Sequence, residues 1–362
     1  MEADARGPEL SIIVPARNAA RTIVAALRSV RASSLPAESY ELIVVDDASD
    51  DETASLAARY ADVVMRLAGR PAGPAYARNR GAEVATGALL AFVDSDVALL
   101  PETLPRLVAD LARDPMVGAV SAGYGDGEAR NFFSQYWNLL LRLGMQRGAR
   151  GGAHHIACCA VVRRGAFFTS GLYDEWRFRT GCLEDVELGI RLATHGYRVL
   201  VSTNNGVARL SETSFADVTR AVWMRGRLLT RSLGYRRTRH IASGDVMYTL
   251  TRPGIPGLLF GGALALCAET TPRTGAPIVI ALAAALICLV NLPTFRFFAR
   301  ERGLGFTVLA MPAHLVAQAT AVAALISGWL LRHFIGDGVP DATTQAYAEV
   351  GAEMWPPVPR QT

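Results

Sequence analysis

Two carboxylates, Asp94 and Asp96, flank Ser95 directly after the apolar run Leu89–Val93, and Asp46-Asp47 closes a similar run, Leu42–Val45. Acids gathered at the C-terminal ends of buried strands mark the edge where an open α/β sheet places its chemistry. One such acid could simply cap a helix or shape a turn. Two strand ends, one of them Asp-x-Asp, favour a site over that account. Mg²⁺ and Mn²⁺ prefer oxygen ligands, keep several waters, and are usually held by one or two protein carboxylates plus substrate phosphate oxygens. An ion held in this way neutralises charge on a departing nucleoside diphosphate. Asp94-Ser95-Asp96 therefore suits transfer from an activated sugar nucleotide.

A third acidic pair, Glu184-Asp185, follows a stretch read as a loop, Tyr173 to Gly181. It opens a helical pattern whose apolar positions are Val186, Ile190 and Ala193. Helix N-termini favour acids through their dipole, so capping is the ordinary role for both residues.

The elements that must position these acids are legible before residue 210. Short β-branched runs alternate with Ala-rich helical patterns: strands at Leu10–Val14, Leu42–Val45, Val63–Arg66 and Leu89–Val93, and helices around 22–31, 53–60 and 74–85. That rhythm predicts an α/β fold with a mostly parallel sheet and flanking helices.

Composition excludes several chemistries. The 362 residues contain no lysine, so all 37 basic side chains are arginine, which rules out a P-loop lysine and a lysine Schiff base. The net charge of +4 is modest and no basic run dominates the first 210 residues, so nucleic acid is not an expected partner. The five cysteines lack CxxC spacing, which points to a reducing compartment.

Beyond residue 250 the chain turns apolar, with spans near Ile255–Ala268, Ala276–Leu292 and Phe306–Leu331. The second and third are long enough to cross a bilayer. Arginines at 236, 237, 239 and 252, and at 296, 300 and 302 in the connection Thr294 to Gly303, place both flanks on the cytoplasmic side. Met1–Glu9 is polar, without a signal-peptide core. The expected organisation is a catalytic domain over 1–210, a basic amphipathic segment over 211–252, three transmembrane helices within 253–335 or a two-crossing hairpin with an interfacial first segment, and a polar tail over 336–362. It corresponds to a multi-pass protein of the inner (cytoplasmic) membrane with its catalytic domain in the cytoplasm.

The chain from about Leu10 to Arg231 resembles family 2 glycosyltransferases of the GT-A fold. The resemblance is carried by Ser11-Ile12-Ile13-Val14-Pro15-Ala16-Arg17-Asn18, Val45-Asp46-Asp47-Ala48-Ser49-Asp50-Asp51, Ala77-Arg78-Asn79-Arg80-Gly81, Asp94-Ser95-Asp96, and Cys182-Leu183-Glu184-Asp185-Val186-Glu187-Leu188 followed by Arg191 and Gly196-Tyr197. It implies a Rossmann-like sheet and a hexosyl-type transferase. Pro15 and Asn18 would form the first loop over the nucleotide; a strand end and a helix cap are their plainer readings. Asp47 would accept from the base N3–H, favouring uracil, while Asp46 caps the following helix. Arg78 would lie near base or phosphate. Asp94 would contact ribose or the Mg or Mn ion, and Asp96 would ligate the ion directly. Asp185 becomes the catalytic base, with Glu184 in support. An inverting transfer needs one carboxylate to take the acceptor proton, and no second acid or covalent nucleophile.

Other features admit two readings each. Adjacent strand side chains point to opposite faces, so His154-His155 are an unpromising ligand pair. Trp137 suits an acceptor groove, the membrane interface or the core. From Ser214 to Leu233, arginines including Arg225 interleave with apolar residues, as on an interfacial helix or in a diphosphate contact. The Gln-x-x-Arg-Trp element of processive synthases is absent, which favours single additions. The apolar C-terminal third resembles membrane-bound transferases of exopolysaccharide assembly, including the succinoglycan type, and implies a lipid-linked saccharide acceptor. Two rivals are a dinucleotide or nucleotidyl enzyme, whose Gly-x-Gly-x-x-Gly turn is missing after the first strand, and a non-enzymatic membrane scaffold, which the retained acids oppose.

Overall fold

Leu10–Ala16 (β1), Tyr40–Asp46 (β2) and Leu89–Val93 (β4) are almost wholly buried, and continuous apolar runs of this kind form the centre of a sheet covered on both faces. A computed structural model of the chain describes residues 7–125, 129, 131–150, 156, 158–178, 182–232, 250 and 276–336. The remaining strands are Val63–Arg66 (β3), Val97–Ala98 (β5), Val117–Tyr124 (β6), Cys159–Arg163 (β7) and Arg198–Arg209 (β8). The sheet order is β3-β2-β1-β4-β7-β6-β8-β5. The first four strands are parallel, and β7 enters antiparallel between β4 and β6, making the far half mixed.

Helices connect and cover the strands. They are Ile23–Arg31 (α1), Thr53–Ala57 (α2), Pro74–Val84 (α3), Thr103–Ala112 (α4), Phe132–Arg150 (α5), Arg164–Thr169 (α6), Glu184–Thr194 (α7), Phe215–Ser232 (α8) and Ala276–Ile335 (α9). Two apolar clusters fill the faces of the sheet, one around Ile12, Val14, Leu42 and Leu107, the other around Ile13, Ile43, Phe92 and Phe167. Gly81 of α3 packs so closely on Ile13 and Val45 that a side chain there would meet both. The closeness seats α3 directly on β1 and β2.

The second and third apolar spans both fall on α9, which is a hairpin. Gly303, at φ +85°, breaks the helix. The Asn291 side chain then meets His314 at 3.2 Å and Gln318 at 2.6 Å, so the two arms run back along each other. The stretch Thr294–Gly303, expected to be a connection, is helical up to the break, with Phe295 and Phe298 buried and Arg142 of α5 paired with Glu301 at 2.9 Å. The first span and the tail after residue 336 lie outside the described residues, as do His154 and His155. One stretch among the described residues, Cys288–Ile335, is long and apolar enough to cross a membrane.

Packing decides between the readings open for Trp137 and for α8. Trp137 is in the core, clustered with α8 and α9. Helix α8 is amphipathic as predicted, but its apolar residues Val218, Val222 and Leu229 are buried against the hairpin, which takes the place expected of lipid.

Candidate active site

A cleft of about 470 Å³ opens at the C-terminal ends of β1, β2 and β4. Of the residues assigned to the site from sequence, all but Asn18 line it: Pro15, Asp47, Arg78, Asp94, Asp96, Glu184, Asp185 and Arg225. Parallel neighbours β2-β1-β4 end together, which brings acids 47 positions apart in the chain, Asp47 and Asp94, to one edge.

Arg78 is the cross-brace of the cleft. From α3, its Nη2 donates to Asp94 Oδ1 at 2.7 Å and its Nη1 to Glu184 Oε1 at 2.9 Å, while the guanidinium sits 5.3 Å from the Tyr173 ring centroid. The planar fork of arginine suits this double contact and its aromatic floor. Burial works against the guanidinium's charge, but Asp94, Tyr173 and Glu184 together hold it more firmly protonated than usual. Burial raises the pKa of Asp94, with Arg78 opposing and Asp96 reinforcing. Burial likewise raises Glu184, against the pull of Arg78 and with help from Asp185. Its second oxygen, Oε2, is buried without a hydrogen-bond partner.

Asp96 is held differently. Strand β5, directly after the Asp-x-Asp motif, pairs with the end of β8, Val97 opposite Arg209. The pairing brings Arg209 Nη2 to 2.9 Å and Ser211 Oγ to 2.7 Å from Asp96 Oδ2. Burial pushes the Asp96 pKa up, but Arg209 and Ser211 outweigh it and the net shift is down. Arg209, Ser211 and Tyr173 were not anticipated from sequence; nothing local marks Arg209 as the partner of an acid 113 positions earlier.

The donor set fits a hard cation sharing its shell with a diphosphate. Among the described residues, side chains hydrogen-bond Asp94 at Oδ1 and Asp96 at Oδ2, so an ion would be held through the other oxygen of each. Among the described residues no three His, Cys, Asp or Glu side chains stand close enough to hold a metal ion between them. Two carboxylates plus substrate oxygens and water are the usual Mg²⁺ arrangement.

Helix α7 begins at Glu184, and the residue before it, Leu183, is left-handed at φ 71°. A bulky residue at positive φ is strained and persists only where its surroundings impose it. Here the turn aims Asp185 into the cleft, and the Asp185 carboxylate accepts from the Val186 amide at 2.9 Å. Behind the helix, Glu187 chelates Arg191, whose other nitrogens reach the Ser170 and Leu172 carbonyls. The buried pair thereby ties α7 to the chain leading into Tyr173.

Two residues carry loop-holding duties that the sequence did not disclose, and a third, Asp46, departs from the role expected of it. Asp47 accepts from the Ala72 and Gly73 amides at 2.9 and 2.8 Å, fixing the entry to α3. Asn18, at φ 47°, takes the Asp50 amide on its side chain and gives its own amide to Ser49, so it braces the loop after β2 and caps no helix. Asn18 lines a neighbouring cavity with Ser95 and Asp96. Asp46 does not cap α2, which starts at Thr53 and is held by Asp51; it is fully buried, with Arg66 Nε 3.5 Å away.

Residues 11–168 match the model of glycosyl transferase family 2. An uncharacterized glycosyltransferase of Mycobacterium tuberculosis is 30% identical over 202 residues, which is 54% of this chain and 83% of that protein. The chain belongs to glycosyltransferase family 2. The transferase is also 39% identical over 103 residues to the succinoglycan biosynthesis protein ExoO of Rhizobium meliloti, covering 28% of this chain and 29% of that one. Among solved structures, the mannosyltransferase PcManGT from Pyrobaculum calidifontis, in complex with GDP-Man and Mn²⁺, aligns with 96% of the transferase and 87% of its own chain, at 21% identity and a TM-score of 0.48.

Proposed function

We propose that the transferase moves one sugar, with inversion, from a nucleotide sugar, a UDP-sugar by preference, to a hydroxyl of a lipid-linked saccharide at the cytoplasmic face of a membrane. The reading rests on one arrangement above all: the Asp94/Asp96 pair and the Glu184-Asp185 helix start face each other across one cleft, with Arg78 joining the two sides.

In this scheme Asp47 receives the base N3–H on a lone pair that the Ala72 and Gly73 amides leave spare, and Pro15 borders the nucleotide. Asp96 and Asp94 hold Mg²⁺ or Mn²⁺, whose chemistry there is to neutralise the departing diphosphate. Arg225 reaches into the cleft from α8 to meet phosphate oxygens. Asp185 takes the proton from the acceptor hydroxyl as its oxygen attacks C1, and the C1–O bond to the diphosphate breaks on the opposite face. Glu184 keeps Arg78 in place.

UDP-, GDP- and dTDP-sugars screened against a polyprenyl diphosphate saccharide extract, with product mass measured, test the proposal. The expected product is the acceptor plus one sugar residue. Long polymers, or sugar transfer only to water, would overturn it.

A further inference from the structure

The second arm of the α9 hairpin distributes its side chains the opposite way from a helix on a water-soluble surface. The face against the protein carries small or polar residues, among them Ala310, His314, Ala317, Ala321 and Ala324, all buried. The outward face carries Val308, Leu309, Val316, Ile326 and Trp329, with Leu309 at 68% and Trp329 at 56% exposure. Small residues inside and large apolar residues outside are the pattern of helices whose outer surroundings are lipid. The charges agree. The arm's flank at the hairpin tip carries exposed Arg296, Arg300 and Arg302, and the only acid on α9, Glu301, is paired with Arg142. An anionic headgroup layer complements that surface.

The depth of the arm is fixed by its neighbour. Phe132, which contacts Phe306, adjoins Phe133, which contacts Phe215 at the start of α8. At the other end Gly328 lies against Arg227 and Thr230, near the end of α8, so closely that a side chain at 328 would collide with both. The arm from 306 to 328 thus runs beside α8 for the whole of that helix. Helix α8 carries Arg220, Arg225, Arg227 and Arg231; Arg225 lines the catalytic cleft and Arg220 is exposed beside Asp217. Taking α8 to the centre of a bilayer would carry all four arginines into hydrocarbon, where each is strongly disfavoured. The arm cannot sink without α8, and α8 cannot leave the cleft.

We propose that the outward face of residues 308–330 rests in the plane of an anionic phospholipid leaflet and does not cross it. The arm holds the cleft at headgroup level, where a lipid-linked acceptor presents its saccharide. This reading refines the membrane part of the proposed function and replaces the third crossing expected from hydropathy alone.

Probe depth decides it. Val308→Cys, Val316→Cys and Trp329→Cys, each in the full chain with Cys267→Ala and Cys288→Ala, would carry an environment-sensitive fluorophore. Quenching by lipids nitroxide-labelled at graded depths would be read in phosphatidylglycerol-containing vesicles. An in-plane arm gives all three probes the same shallow depth. A crossing arm separates 308 from 316 by roughly 12 Å along the bilayer normal, at 1.5 Å rise per residue, and that result overturns the proposal. Absence of quenching, with the face instead protected by self-association of the chain, also overturns it. Transfer to a water-soluble acceptor analogue, assayed on the same preparations, reports on the reaction independently of docking.

Discussion

Arg209 Nη2 lies 2.9 Å from Asp96 Oδ2, so the carboxylate assigned to the metal already rests on a fixed cation. The pairing keeps Asp96 ionised at acid pH, since its folded pKa lies below the ordinary carboxylate value.

Asp96→Asn is expected to abolish metal-dependent transfer while the protein stays folded, because the amide still accepts from Arg209 and Ser211. Chelator should silence the wild type. Isothermal titration with Mn²⁺ and UDP together measures the loss; undiminished Mn²⁺ affinity in the variant would reassign the ligand.

Asp185→Asn should lower the transfer rate by about 10²–10⁴-fold, the usual contribution of a general base, with UDP affinity close to normal. Single-turnover transfer and UDP binding on the same preparation separate the two quantities. A parallel loss of donor affinity would move Asp185 to the nucleotide side of the cleft.

Arg78→Met is expected to destabilise the fold by on the order of 3–5 kcal/mol, since breaking a buried ion pair leaves its partner charged and unpaired. Glu184, with 7% of its side chain exposed, is the partner most affected. Arg78→Lys should recover little, because an ammonium lacks the fork that reaches Asp94 and Glu184 together. Urea unfolding of both variants against Arg78→Met/Glu184→Gln measures the coupling, and the double variant should regain part of the loss.

Acidification should inactivate the enzyme before it unfolds. Glu184 faces Arg78, Asp185, Tyr173 and Asp94, and its folded pKa is raised, chiefly by burial. The folded state therefore takes up this proton more readily than the unfolded chain. Ionised Glu184 costs stability in full above its folded pKa, and that cost shrinks as pH falls through the folded value and is gone below the unfolded one. Asp96 has the opposite sign: its contribution is present above its unfolded pKa and is lost as pH falls through its lower folded value. Protonation of Glu184 weakens its hold on Arg78 while Asp96 is still charged. The acid limb of the rate profile should lie above the ordinary carboxylate range, with circular dichroism unchanged across it. Glu184→Gln should flatten that limb, and an unaltered limb would remove Glu184 as its source.

Asp47→Ala should weaken UDP binding and also loosen the chain before α3, because the Ala72 and Gly73 amides lose their acceptor. Limited proteolysis near residue 72 reports the second effect. Equal UDP affinity in variant and wild type, by calorimetry, would remove the base-recognition role and leave only the loop.

Local chemistry determined which strands exist and where they end. Continuous apolar runs closing in Asp46-Asp47 and Asp94-Ser95-Asp96 dictate buried parallel strands with acids at one edge, and the Glu184-Asp185 pair at a helix start is visible in the same way. The antiparallel entry of β7 had no local signal, because register and strand order depend on pairings between distant segments. For the same reason Arg209 on Asp96, and Arg78 spanning Asp94 and Glu184, emerged only from the folded chain. Hydropathy located the apolar C-terminal segments but treated each as a separate rod. What they do is decided by the break at Gly303, by Asn291 meeting His314 and Gln318, and by the close seat of Gly328 on α8. A linear scale counts apolar residues without knowing which face of a helix the protein itself will cover.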